Sequence, residues 1–203
     1  MPRILIGTNN SGKLAELRAL LLPRGWTPVH PAGLGLALEV EETGSTYAEN
    51  ATLKANAFAA AAGMLALADD SGLEVDALGG RPGVHSARYG GAGTPPAEQI
   101  RLLLRELEDV PEERRTARFR SVVVIAAPDG RTWQSDGTIE GRVEHSPRGA
   151  NGFGYDPIFL LPERGLTMAQ LGDAAKNVIS HRALAMQGAL QHLDRLLRSG
   201  EAF

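Results

Sequence analysis

Cysteine is absent from the 203-residue chain. Disulfides, thiolate metal ligands and a cysteine nucleophile are therefore excluded. Aromatic residues make up only 5%, so the few that occur are informative by position. No apolar run approaches the roughly 20 residues that span a bilayer. The apolar stretch after Arg3 has only the length of a strand, so neither a membrane segment nor a signal peptide is expected. A reducing, cytoplasmic setting fits both absences. A large excess of either charge is lacking too: 21 basic and 24 acidic residues give a formal net charge of −3. That balance offers no domain-wide basic surface for nucleic acid, and an anionic ligand has to be met by a local cluster of cations. None of the five histidines has metal-ligand spacing, which argues against zinc. Internal repeats and low-complexity linkers are missing, so residues 1–203 read as one domain. Two lobes are compatible with the length, although no composition shift marks a boundary.

What is present begins with Ile4, Leu5 and Ile6, an apolar strand running into Gly7-Thr8-Asn9-Asn10-Ser11-Gly12-Lys13. Backbone N–H groups at such a turn and at a following helix start point at an anion, and Lys13 adds a full positive charge. The spacing approaches a P-loop, but Leu14 stands where that motif needs Ser or Thr for magnesium. The turn reads as a phosphate cradle without its own metal ligand.

Periodicity and punctuation outline the rest. Strands are expected over 3–7 and 26–30, with a helix over 13–22 between them that turns Leu14, Leu17, Leu20 and Leu21 inward. Thr46 with Glu49 forms a capping box opening a long Ala-rich helix to Ala62, ended by Gly63. A short strand, 65–68, is expected to deliver Asp69-Asp70-Ser71-Gly72 at its carboxyl end. Residues 79–93 read as a Gly-dense ordered loop, and Thr94-Pro95 starts a helix with Ile100, Leu103, Leu104 and Leu107 inside. Strands over 119–126 and 132–143 flank the turn Pro128-Asp129-Gly130 as a hairpin. A second Gly-rich loop covers 147–157, a helical turn 167–171, and Ser180 is expected to N-cap a last helix closed by Gly200. Strands alternating with helices, then a hairpin, give the α/β class with a mixed twisted sheet.

Four groups carry candidate chemistry. Asp69-Asp70 at a strand end would suit a magnesium ion, or would simply organise a turn. Glu39, Glu41 and Glu42 repel one another, and a cation would relieve that repulsion; a solvated loop is the plainer reading. His181 and Arg182, with Lys176 four residues before Ser180, put cations at a helix start, where the helix dipole disfavours them unless an anion or a carbonyl is bound. Gly152-Phe153-Gly154-Tyr155-Asp156-Pro157 lets backbone approach a flat ligand and offers aromatic faces for a base, unless the aromatics are simply core. Lys54 and Arg88 are either solvated or phosphate partners. Together these groups suit a magnesium-dependent nucleoside triphosphate enzyme.

On these residues the sequence resembles the inosine triphosphate pyrophosphatase (Ham1-like) family. The matching segments are Thr8 to Lys13, Glu42-Thr43-Gly44-Ser45-Thr46 with Glu49-Asn50-Ala51 and Lys54-Ala55, Ala68 to Leu73, Gly79-Gly80 with Pro82-Gly83 and Ser86 to Tyr89, Phe153 to Pro157, and Lys176 with Ser180-His181-Arg182. They occur in family order over nearly the full chain. The resemblance implies two lobes around a central active-site cleft, a homodimer, and Mg²⁺-dependent hydrolysis of XTP, ITP and dITP to the monophosphate and pyrophosphate. By motif, Thr8, Asn9, Asn10, Ser11, Gly12 and Lys13 would hold the triphosphate, with Lys13 and Lys54 assisting catalysis. Asp70 would be general base and metal ligand, Glu42 the second ligand, and Ser71 a substrate contact. Phe153, Gly154, Tyr155 and Asp156 would enclose base and sugar, and Lys176, His181 and Arg182 would complete the pocket, the last two at the purine 6-keto edge. Asp173-Ala174-Ala175 departs from the acidic segment common before this lysine. The competing readings are a P-loop kinase or ATPase, a silent nucleotide sensor, and a pyrophosphatase for pyrimidine nucleotides.

Overall fold

A computed structural model describes residues 1–199; the expected role of Gly200 lies outside them. Strand β1 (Arg3–Ile6) is an exposed arginine followed by three fully buried aliphatics. Helix α1 (Ser11–Leu21) starts two residues earlier than expected, because the Asn10 side chain accepts the Lys13 backbone N–H at 3.0 Å and caps the first turn. Leu17 and Leu21 are buried, with Leu14 and Leu20 packed beside them. Strand β2 (Thr27–Val29) lies parallel to β1. Helix α2 (Tyr47–Ala62) opens on the complete Thr46/Glu49 capping box and stops at Gly63, as the sequence predicts.

Strand β3 (Ala66–Val75) corrects an expectation. It does not stop at Ala68, so Asp69 to Gly72 is neither a turn nor a strand end but the middle of the strand. Leu73 and Val75 are fully buried and continue the two-residue alternation beyond the polar stretch. β3 pairs parallel with β1. Helix α3 (Pro96–Glu106) buries Ile100 and Leu103. The long loop before it contains a 3-10 turn over Gly83–Arg88. Strands β4 (Thr116–Ala126) and β5 (Thr132–Val143) are sheet neighbours joined through Gly130. Strands β6 (Phe159–Leu161) and β7 (Leu166–Thr167) continue the sheet antiparallel and were not expected, being too short to show a period. Helix α4 (Asp173–Ile179) was also missed, and Ser180 separates it from α5 (His181–Ser199).

Among the described residues seven strands lie in the order β2-β1-β3-β4-β5-β6-β7, a mixed sheet in an α/β fold. The chain divides into two compact units. The first comprises Met1–Asp70, Ser121–Gly137 and the segment from Arg182, and the second Ser71–Arg120 and Thr138–His181. Each has its own core. In the first, Ile4, Ile6, Leu65, Leu67, Val123 and Ile125 meet Leu17 and Leu21 of α1 and Met186, Leu190 and Leu193 of α5. In the second, Leu73, Val75, Phe119 and Phe159 pack with Leu103, Ile158 and Met168. Among the described residues no helix is long and apolar enough to cross a membrane.

Candidate active site

Alternation along β3 separates the two aspartates. Asp69 follows Leu65 and Leu67 onto the face covered by α1 and α5, whereas Asp70 faces α2. On the first face, Asp69 Oδ2 accepts Arg182 Nε at 3.0 Å and pairs with Lys13 Nζ at 3.1 Å. The Arg182 guanidinium also bonds Glu16 of α1 through Nη1. Burial alone would raise the Asp69 carboxyl, but Lys13, Arg182 and Lys54 together hold it well below the usual carboxylate range. Burial and the neighbouring cations Lys54 and Arg182 lower the Lys13 ammonium despite Asp69.

On the opposite face, Asp70 Oδ2 accepts Asn50 Nδ2 at 3.1 Å, and Lys54 Nζ lies 3.5 Å from Asp70 Oδ1 and 2.5 Å from Glu42 Oε1. Asp70 is raised, first by burial; Lys54 and Lys13 oppose this and the nearby Glu42 charge reinforces it. Lys54 is raised because Asp70, Asp69 and Glu42 outweigh its own burial. Burial and the second carboxylate thus act in the same direction, making the Asp70 carboxyl a weaker acid than an exposed aspartate.

Among the described residues no group of three or more His, Asp or Glu side chains could cage a metal. The Asp70–Glu42 pair is nevertheless a suitable donor set for a magnesium ion, which takes one or two carboxylates and completes its sphere with water and phosphate oxygens. The Lys54 ammonium lies within reach of both carboxylates, 2.5 Å from Glu42 and 3.5 Å from Asp70. Glu39 and Glu41 are exposed, so only Glu42 of the three joins this group.

The turn after β1 has a simple local origin. Thr8 Oγ1 accepts the Asn10 N–H at 3.2 Å, Asn10 caps α1, and Asn9 Nδ2 donates to the Leu38 carbonyl at 3.3 Å. Ser11, Gly12 and Lys13 thereby form the first turn of an eleven-residue helix whose positive end carries a lysine. Leu14 packs on the core, so no hydroxyl stands where a P-loop needs one. The P-loop alternative is thereby weakened in structure as well as in sequence.

In the second unit, Lys176 is 4% exposed and pairs with Asp156 at 2.5 Å, its ammonium 4.8 Å from the Phe153 ring centre. The Phe153 N–H donates to the same Asp156 oxygen at 2.8 Å. Gly152, at φ +75°, makes this possible, since a Cβ there would run into the Asp156 carboxylate. Tyr155 is buried and donates to the Ser86 carbonyl at 3.0 Å, while Ser86 Oγ accepts the Leu73 N–H at 2.9 Å. His181 stacks on Phe119 with ring centres 4.8 Å apart. Ser71 is half-buried within β3, and Gly154 sits in a turn.

A Ham1 family model matches residues 4–192. The chain belongs to the Ham1 family. Among its relatives, the dITP/XTP pyrophosphatase of Geobacillus kaustophilus is 52% identical over 186 residues, covering 92% of this chain and 91% of the relative. That of Bacillus licheniformis is 45% identical over 195 residues, covering 96% and 100%. Among solved structures, a HAM1 protein from Coxiella burnetii superposes with a TM-score of 0.86 at 39% identity, covering 96% of this chain and 100% of that one. The Staphylococcus aureus Ham1 protein gives 0.83 at 40%, covering 95% and 98%.

Within this Ham1-family chain the structure brings Lys13 and Arg182 together at Asp69, and Lys54 and Glu42 together at Asp70, all in the first unit. Lys176 and Asp156 meet in the second, joined by Phe153. The expected gathering of Lys176 and Arg182 at one helix start is corrected. Lys176 belongs to α4 and binds Asp156, whereas Arg182 belongs to α5 and binds Asp69 and Glu16. Arg88 sits in the 3-10 turn of the second unit. Sequence reasoning assigned no role to Asn50, to Glu16 or, separately from its neighbour, to Asp69. For Asn50 a signal was available: it precedes Lys54 by one helical repeat, on a stripe otherwise lined by Ala51, Ala55 and Phe58.

Proposed function

We propose that the chain hydrolyses non-canonical purine nucleoside triphosphates (dITP, XTP and ITP) to the monophosphate and pyrophosphate, a reading supported by relatives that bear the name dITP/XTP pyrophosphatase. The observation that carries this reading is the Asp70 carboxylate, buried in β3 between Lys54 and Asn50, with Glu42 beside it. In the proposed reaction a water oxygen attacks the α-phosphorus, the bond from that phosphorus to the bridging oxygen breaks, and pyrophosphate leaves. Asp70 takes the water proton. The positive end of α1 with Lys13 binds the phosphate chain, and Lys54 offsets charge next to the base. Asp70 and Glu42 would hold Mg²⁺, which when bound neutralises charge on the triphosphate. Ser71, Phe153 to Asp156, Lys176, His181 and Arg182 are proposed as the substrate contacts, the last two at the purine 6-keto edge. Donors there would leave the adenine amino group facing another donor, an unmet buried group costing about 1–3 kcal/mol. A cytoplasmic homodimer belongs to the same proposal.

The test is turnover of a panel of nucleoside triphosphates with Mg²⁺, scoring pyrophosphate and orthophosphate separately. Pyrophosphate from dITP and XTP, little from dATP, and loss of turnover on chelation with recovery on added Mg²⁺ are expected. Orthophosphate as the sole product would overturn the reading.

A further inference from the structure

We propose that Asn50 is a positioning residue that clamps the Glu42-Thr43-Gly44 segment to the Asp70 carboxylate, fixing the separation of the two carboxylates that face Lys54. This rests on the reading of Asp70 as the base. Asn50 is 0% exposed. Its Oδ1 accepts the Gly44 N–H at 2.8 Å, and its Nδ2 donates to Asp70 Oδ2 at 3.1 Å. The amide orientation follows from chemistry: the Gly44 N–H needs an acceptor and the carboxylate a donor, so a flipped amide would make two repulsive contacts. One fully buried side chain thus ties a loop six residues before it to a strand residue twenty after it.

Gly44 shows how closely the segment is held. A Cβ built there would lie 2.6 Å from Glu49 Cβ and 2.7 Å from Asn50 Oδ1. Space, then, is what requires glycine here, because the segment must press directly on the asparagine. Lys54, one helical repeat along α2, reaches Glu42 and the other Asp70 oxygen. Asn50 holds Oδ2 while Oδ1 faces the lysine, so the carboxylate plane is set from one rigid helix. Without the clamp, the Asp70 carboxylate loses the restraint on Oδ2 and the Glu42 segment loses one of its ties, a misplacement of reacting groups rather than a loss of substrate contacts.

The test compares Asn50→Asp, Gly44→Ala and Asp70→Asn for kcat and KM on dITP with Mg²⁺, together with thermal unfolding and amide exchange of the 41–48 segment. Asn50→Asp keeps the acceptor for Gly44 and removes the donor to Asp70. Gly44→Ala displaces the clamp without adding or removing a charge, and it decides alone where Asn50→Asp does not fold. The expected result is a kcat lower by on the order of 10- to 100-fold in both clamp variants, with KM within about twofold. Exchange of the 41–48 segment should be faster in Gly44→Ala. Wild-type kcat in both, with Asp70→Asn inactive, would overturn the clamp and leave the base in place. A lowered unfolding midpoint with unchanged kcat would likewise overturn it, as the mark of a purely structural asparagine. Near-normal turnover in Asp70→Asn would overturn the base assignment and this inference with it.

Discussion

The two faces of strand β3 treat adjacent, chemically identical residues in opposite ways. Asp69 is buried against Lys13 and Arg182 and is held strongly acidic. Asp70, one residue on, is buried against one ammonium, one amide and a second carboxylate, and is pushed up. Burial opposes ionisation at both; the number of cations in reach decides the outcome. The first face therefore sets one carboxylate between two cations, joining β3, α1 and α5, and the second sets two carboxylates against one ammonium. A strand is well suited to this division, because its two-residue period sends neighbours to different surroundings at no backbone strain.

The comparison breaks most visibly at Asp70. Asp70→Asn should lower turnover by about 10²–10⁴-fold. In metal-free buffer near neutrality it should also unfold at a higher temperature than the wild type, since an upward-shifted carboxyl opposes folding once ionised. Equal or lower thermal stability would show that the Asp70 face is as settled as the other. Asp69→Asn should do the reverse, destabilising the fold by about 3 kcal/mol in urea unfolding because Lys13 and Arg182 lose their shared buried carboxylate. A loss under 1 kcal/mol would mean Glu16 suffices for the cluster.

Acid sharpens the contrast. Asp69 has a folded value below its ordinary 3.8, so its contribution is complete above that pH and disappears as pH falls through the depressed folded value. Asp69→Asn should therefore flatten the acid limb of a stability–pH curve, while Asp70→Asn should flatten the decline just above pH 3.8, where the wild-type residue begins to ionise in the unfolded chain first. The smallest effect belongs to the exposed ladder of Arg118 with Asp76 and Glu140. Arg118→Ala should change stability by under about 1 kcal/mol, and less at high salt, if burial rather than pairing is what gives the Asp69 cluster its strength.

Much of this was readable in the chain. The Thr46/Glu49 box, Gly63 and the turn at Gly130 placed α2 and the β4–β5 connection because capping and positive-φ chemistry are local. The extension of β3 was not readable, since Asp-Asp-Ser-Gly has the composition of a turn and only partners distant in sequence make it tolerable inside a strand. The short strands β6 and β7 and the seven-residue α4 lie below the length at which periodicity speaks. The motif residues were identifiable as a set, but their grouping was not: Lys176 and Arg182, close in sequence, bind different carboxylates in different units.

The sequence by itself determined the class of fold, the helix caps and the chemical inventory, because each depends on residue type and near-neighbour spacing. Tertiary structure alone decided that Asp69 is spent on Lys13 and Arg182, that Asp70 is left for Lys54 and Glu42, and that Asn50 joins them. The protonation and orientation of a buried carboxylate are set by which charges and dipoles surround it in space, and those come from residues tens of positions away.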